Sequence, residues 1–324
     1  VIRAIPDAMA AAPATPAASV VPVAPVAPVA SVAPVRAQRQ LRLVRDRAVP
    51  ILRWAGGKTR LLDDIVSRVP VGYRRYLEPF CGGGAVFFRI APPRAIVSDS
   101  SVELIEFYRE LARDPVAVCR ELGLLIVRTP LAAYYDVRAA WNAERTAWPA
   151  ARRAATFLYL NKSCYNGLWR VNSRGEFNVP RGKFGPGGAG DPGYPSLGDF
   201  LAASAALRRA EICCEDYAVI FDRAERGDFV YVDPPYPPAS KTANFVGYAA
   251  GGFDEAAHRL LAERVLALVA RGVDVMVSQP DVPLAREIYA GLALHEVSAP
   301  RSVNSRGAGR GFVPELLLIG GSSS

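Results

Sequence analysis

Apolar positions between residues 49 and 320 change their period several times, and each change predicts an element. Leu61, Leu62, Ile65 and Val69 recur at helical spacing and predict a short amphipathic helix. RRYLEPF then reads as a strand entering the glycine turn CGGGAVFF, with a helix behind it. RAIVSD, residues 94–99, is a second short strand that ends on an acid. Residues 101–160 read as helices, including LAAYYDVRAAWNAE, whereas 161–198 turn to Gly, Pro, Asn and basic residues with little helical period. The alternation resumes with EICCED, the strand GDFVYVDPPY, a helix over 254–270, VDVMVS, and the late strands ALHEV and ELLLIG. Strand, glycine turn, helix, strand and acid in that order predict a doubly wound α/β fold. Late strands without clear helices between them predict an antiparallel edge, and residues 111–210 interrupt the sheet as an insertion.

Composition narrows the partners. A net charge of +8 and a pI near 9.4 favour nucleic acid or an anionic membrane. Five cysteines without a C-x-x-C pair, and two histidines far apart, argue against a disulfide framework or a zinc site and for a reduced, cytoplasmic protein without a metal. His258 is expected on the solvated side of its helix. Residues 8–35 carry no charge and six prolines, in phrases such as PVAPVAPVA. Proline at that density defeats a membrane-spanning helix, so residues 1–48 are expected to be a disordered Pro/Ala-rich tail with a basic joint. The segment does not read as a signal peptide, because its apolar core is repeatedly broken. The chain opens on Val1, which leaves a misplaced start codon open.

Two stretches carry candidate chemistry. In Glu78-Pro79-Phe80-Cys81-Gly82-Gly83-Gly84 the glycines allow a ligand to approach the backbone at a strand-to-helix turn. Asp99 ends the next strand, where an acid can accept hydrogen bonds from both hydroxyls of a ribose. A purely structural turn is the alternative. A nicotinamide cofactor is disfavoured because Phe87 stands where the last glycine of G-x-G-x-x-G belongs. Trp54-Ala55-Gly56-Gly57-Lys58-Thr59 is not a P-loop, since Leu52 replaces its first glycine.

The second stretch is Asp233-Pro234-Pro235-Tyr236, at the end of an apolar strand. An exocyclic amine on a nucleobase is conjugated with its ring and must turn its lone pair out of plane to attack a methyl donor. Two acceptors promote this by taking both amino hydrogens: the Asp233 carboxylate and the Pro234 carbonyl. Pro235 biases residue 234 toward an extended conformation, and two prolines remove two N–H donors from a pocket that needs acceptors. Tyr236 can stack on the base. An Asp-Pro turn is the competing reading. Cytosine C5 methylation would need a nucleophilic Pro-Cys, which does not occur.

GDFVYVDPPY, EPFCGGGAVFF and LRWAGGKTRLL together resemble the Dam family of DNA adenine-N6 methyltransferases. The resemblance extends to NKSCYNGLWRVNSRGEFNVPRGKF (161–184), ANFVGY (243–248), VSQPD (277–281) and RSVNS (301–305), and covers about residues 49–320. It implies a Rossmann-like methyltransferase fold with a mixed sheet, in two catalytic parts at 49–110 and 211–320. Between them, 111–210 would form a helical and hairpin target-recognition domain. It also implies S-adenosyl-L-methionine as methyl donor, held by Trp54, Lys58, Phe80, Gly82, Gly84, Asp99, Asp216 and Asp233. The catalytic motif, Asp233 to Tyr236, would receive an adenine flipped out of double-stranded DNA. Asn244 to Tyr248 would form a mobile loop near that base.

Residues 161–184 hold Lys162, Arg170, Arg174, Arg181 and Lys183 against one acid, Glu176, with Tyr165, Trp169 and Phe177 among them. Basic residues suit phosphates, Arg suits guanine, and aromatics can wedge into or stack on bases. An ordinary basic surface loop is the alternative. By resemblance, Tyr165, Asn166, Leu168, Arg170, Pro180 and Lys183 form the recognition hairpin, and Arg53 meets an outer guanine of GATC or a related site. The enzyme is expected to act as a monomer, and a cognate restriction endonuclease is not readable from the chain. The rival function is a catalytically silent DNA-binding protein on the same scaffold, against which intact Asp99, Asp233 and Tyr236 argue.

Overall fold

The computed structural model describes residues 48–128, 133–184, 191–236, 253–300 and 312–321. The short helix α1 (Leu62–Val66) precedes β1 (Tyr76–Glu78), α2 (Ala85–Ile90) and β2 (Ala95–Ser98). Four helices follow: α3 (Val102–Arg113), α4 (Pro115–Arg128), α5 (Tyr134–Glu144) and α6 (Ala150–Ser163). After a hairpin come α7 (Leu197–Leu207), β3 (Ala210–Cys213), α8 (Tyr217–Asp222) and β4 (Phe229–Val232). The chain ends through α9 (Glu255–Ala270), β5 (Asp274–Pro280), α10 (Pro283–Ile288), β6 (Ala293–Pro300) and β7 (Phe312–Gly320).

One seven-stranded sheet runs in the order β3-β2-β1-β4-β5-β7-β6. The first five strands are parallel, and β7 is antiparallel to both β5 and β6. This is the mixed α/β fold with the antiparallel edge that the late strands predict. From β1 the chain steps to β2 on one side, and later to β4 on the other. Such a reversal opens a crevice at the carboxyl ends of the two strands, the usual ligand position in these sheets. Glu78 ends β1 and Asp233 follows β4, so both meet that crevice.

Both faces of the sheet are covered, which explains the unbroken apolar run in β4. Tyr76, Phe229, Tyr231 and Met276 pack on one side with Phe107 of α3, Phe157 of α6 and Phe200 of α7. Leu77, Val230, Val232 and Val277 pack on the other with Ile220 of α8, Leu261 and Val265 of α9, and Ala285 of α10. The helices of the 111–210 segment thus share a core with the sheet. Local capping starts two of the helices: the Ser101 side chain accepts from Leu104 N in α3, and Ser196 with Asp199 forms a capping box on α7.

The carboxylate of Asp228, wholly buried, holds the amino ends of β1 and β4 together by accepting from Arg74 Nε at 3.1 Å and Arg75 NH2 at 2.6 Å. This cluster lies at the far end of β4 from Asp233.

His258 departs from expectation. It is buried at 1 % exposure, because it shares the helical stripe of Leu261, Ala262, Val265 and Leu268 that α9 turns to the core. Its ring meets Phe253 edge-on at 4.7 Å.

Candidate active site

Asp233 emerges from β4 half-buried and meets two donors on the same oxygen. Lys58 Nζ lies 2.6 Å from Asp233 Oδ1, and Ser278 Oγ donates to Oδ1 at 3.0 Å. Lys58 comes from the loop before α1, where Gly57 N bonds to Trp54 O and Lys58 Nζ donates to Gly56 O at 3.0 Å. Burial alone would lower the Lys58 pKa. The Asp233 carboxylate, helped by Tyr236 and Glu315, more than offsets that and holds it above its usual value. The same ammonium sits 4.8 Å from the centre of the Tyr236 ring, a cation–π contact. Pro234 is buried, whereas Pro235 and Tyr236 are exposed.

Beside this cluster lies the glycine turn after β1. Gly82 has φ +45°, and a Cβ there would come 2.7 Å from Trp54 Cδ1, so the indole lies directly on the turn. Tyr108 OH donates to Gly82 O at 2.8 Å. Asp99 Oδ2 accepts from Gly82 N at 3.0 Å, and its Oδ1 accepts from Ser101 N at 3.0 Å. Burial raises the Asp99 pKa, with these backbone donors opposing. Phe80 stacks on Tyr217 at 5.5 Å and meets Phe253 edge-on at 6.1 Å, forming an aromatic wall. Asp216, exposed, caps α8 next to Tyr217. Under the turn, Tyr76 OH donates to Glu78 Oε2 at 2.8 Å. Burial pushes the Glu78 carboxyl up to about 8, with Asp233 and Asp99 adding to the shift and Tyr76 opposing it. Burial thus favours the protonated form of this acid.

The donor set fits a nucleoside-bearing methyl donor. Each Asp99 oxygen spends one acceptor position on a backbone N–H and keeps another for a hydroxyl. The turn's backbone is bare of Cβ atoms, and an aromatic wall stands close by. Among the described residues no group of three or more His, Cys, Asp or Glu is placed to hold a metal ion, and no helix is long and apolar enough to cross a membrane.

A second region begins one residue before Trp54. Arg53 N donates to Asn161 Oδ1 at 2.9 Å, and Asn161 Nδ2 donates back to Arg53 O at 2.7 Å. Asn161, fully buried in α6, thereby ties the loop before α1 to the basic hairpin. The fit is tight: a Cβ on Gly167 would lie 2.3 Å from Arg53 Cβ. Asn166 and Gly167 both take left-handed φ, which turns the chain sharply between Tyr165 and Leu168. Bridges Cys164↔Arg181 and Val171↔Phe177 close the hairpin, and Tyr165 N bonds to Pro180 O at 2.8 Å. An open cavity of about 450 Å³ is lined by Arg53, Tyr165, Asn166, Lys183, Phe184 and Asp191 among others. The Arg53 guanidinium donates to Pro192 O at 2.8 Å and lies 5.5 Å from the Phe184 ring centre. Burial and the neighbouring Arg53 lower the Lys162 ammonium to about 8. Arg170 is exposed, with its Nε on Asn178 Oδ1 at 2.9 Å.

Two aromatics of the hairpin, Trp169 and Phe177, lie against the core instead of facing out. Trp169 lies 4.2 Å from Phe177 and 4.3 Å from Phe157 between ring centres, and Phe177 is 1 % exposed. Phe177 is buried in the core beneath the hairpin and Trp169 packs against it, because α5 and α6 present apolar faces there, whereas Tyr165 is exposed. Leu168 is half-buried against the same core. Ser278, Tyr217 and Asn161 also join these clusters, although the motifs do not single them out. The last had a signal: an amide inside the apolar run FLYLNKS must find buried partners. The ANFVGY and RSVNS segments lie outside the described residues.

An α/β sheet with a glycine turn and an acid at its switch point has the layout of a nucleotide- or nucleoside-binding doubly wound fold. Residues 54–303 match the model of the D12 class N6 adenine-specific DNA methyltransferases. A DNA adenine methylase of Escherichia coli strain K12 is 40% identical over 272 residues, covering 83% of this chain and 94% of the relative. A DNA adenine methylase of Vibrio cholerae serotype O1 is 37% identical over 274 residues with the same coverage. A type II methyltransferase, M1.LlaDCHI of Lactococcus lactis, is 33% identical over 271 residues, again with that coverage. The chain belongs to the D12 class family and is an adenine-specific DNA methyltransferase.

Proposed function

We propose that the crevice between β1 and β4 binds S-adenosyl-L-methionine beside a flipped-out adenine, and that Asp233 to Tyr236 direct the methyl group to adenine N6. The observation that carries the reading is the approach of Lys58, Ser278 and Asp233 at the switch point, next to the Gly82 turn and Asp99. Asp99 would hold the donor's ribose hydroxyls, Phe80 would cover its base, and Trp54, Gly82 and Gly84 would shape its cradle. Asp216, at the start of α8, would border the same pocket. When bound, the donor supplies an electrophilic methyl carbon on a sulfonium.

The chain's own residues do the rest. Asp233 and the Pro234 carbonyl accept the two amino hydrogens and turn the nitrogen lone pair toward the methyl carbon. Tyr236 stacks on the base, and the Asp233 carboxylate is the base nearest to the proton that the amine sheds. Catalysis of this kind is positioning and electrostatics.

In the same reading, residues 111–210 together with Arg53 recognise the DNA. Arg170 and Arg53 reach base edges, Tyr165 fills the disturbed duplex, and Lys162, Asn166, Pro180 and Lys183 lie along the backbone. A short site, GATC or a relative of it, is the reading for the target. The enzyme acts as a monomer in the cytoplasm.

A direct test uses purified protein, labelled S-adenosyl-L-methionine and a duplex oligonucleotide containing GATC. Wild type is expected to label adenine N6. Asp233→Ala is expected to lose at least about 100-fold in turnover while keeping DNA affinity within about fivefold. Unchanged turnover in that variant would overturn the mechanism.

A further inference from the structure

Behind Asp233 lies a buried chain of hydroxyls. Ser278 Oγ donates to Asp233 Oδ1 at 3.0 Å and also lies 3.0 Å from Tyr231 OH. Ser278 and Tyr231 are both wholly buried. They come from neighbouring parallel strands, β5 and β4, in the register that pairs Val232 with Val277.

The direction of the chain follows from proton counting. A carboxylate only accepts, so the single Ser278 proton goes to Asp233 and the Tyr231 proton must go to Ser278. Burial and the nearby Asp233 raise the Tyr231 pKa well above its usual value, which keeps the phenol protonated and able to donate. Lys58 Nζ approaches the same oxygen, Oδ1. Among the described residues, no donor is placed on Oδ2.

We infer that Ser278, oriented by Tyr231, is a positioning residue that pins Oδ1 and so presents Oδ2 to the amine of the substrate. The terminal torsion of an aspartate is broad and roughly two-fold. Fixing one oxygen with two donors sets the plane of the carboxylate and aims the other. The Pro234 carbonyl, the second acceptor, is fixed by the backbone. Without Ser278, only Lys58 of these two donors is left on Oδ1, and the carboxylate is less firmly oriented toward the amine. The inference rests on the reading of Asp233 as the amine's acceptor.

Single-turnover and steady-state methylation of a GATC duplex would test it. Ser278→Ala is expected to lower kcat by about 10- to 100-fold, with KM for DNA and donor changed by less than about twofold. Ser278→Thr, which keeps the hydroxyl, restores most of the rate. Tyr231→Phe, which removes one oxygen, gives a smaller loss and adds nothing in a Ser278→Ala background. Thermal melting separates rate from folding, and Tyr231→Phe carries the test if Ser278→Ala does not fold. Asp233→Ala is measured alongside. If it kills turnover while Ser278→Ala and Tyr231→Phe leave kcat unchanged, the positioning role is wrong and the Asp233 reading stands. If Asp233→Ala itself turns over, the parent reading fails. Equal losses in kcat and affinity, unrescued by Thr, would mark Ser278 as structural only and overturn the inference.

Discussion

Lys58 Nζ and Asp233 Oδ1 stand 2.6 Å apart, with Lys58 almost wholly buried and Asp233 reached by solvent only in part. An ammonium in this place neutralises the carboxylate and occupies one of its oxygens. Deleting one member of a buried ion pair strands the other. Lys58→Met, which keeps the apolar stem, is therefore expected to lower stability by about 2–4 kcal/mol in urea denaturation. A midpoint equal to that of wild type would show that the pair contributes nothing to the fold.

Arg170 is exposed on the hairpin and bonds through Nε to Asn178 Oδ1, the one hydrogen bond its side chain makes among the described residues. Both terminal nitrogens remain available for a base edge. Arg170→Ala is expected to relax preference at one base pair, by about 1–3 kcal/mol in competition against altered sites. Uniform weakening on every sequence would make Arg170 a phosphate contact instead.

Trp169 lies against Phe157 and Phe177 rather than on the exposed face of the hairpin. Trp169→Ala is expected to cost about 3–5 kcal/mol of stability, as for a large aromatic removed from a core. A specificity change at full stability would return Trp169 to the interface.

His258 gives the fold a pH signature. Burial among apolar groups, opposed by Asp254, lowers its pKa to about 4, whereas an unfolded histidine titrates near about 6.5. Between these values the unfolded chain binds the extra proton, so stability is full above the upper one and is lost as pH falls toward the lower. His258→Phe is expected to flatten that part of the denaturation-against-pH curve between about pH 6.5 and 4. An unchanged slope would assign the acid sensitivity to other groups.

The parallel strands were legible because strands buried on both faces are continuous apolar runs, and FVYV ends abruptly on Asp233. The glycine turn was legible because only residues without Cβ tolerate the indole of Trp54 above Gly82. What stayed hidden depends on pairing across the sheet or between distant segments. Ser278 gains meaning only once the register of β4 and β5 sets it beside Asp233. The reach of Asn161 to Arg53 spans 108 residues. Trp169 and Tyr165 look alike in a basic, aromatic segment, and the apolar faces beneath the hairpin tell the partly buried one from the exposed one. His258 is buried where its polarity suggests a solvated place, because the stripe of α9 is wide enough to include its first turn.

Expression in a methylation-deficient host, followed by modification-sensitive sequencing of the host DNA, tests the site and its product together. The account expects N6-methyladenine at a single short motif with wild type, and none with Asp233→Ala at equal protein level. No methyladenine with wild type, or the same methylation with the variant, would contradict it.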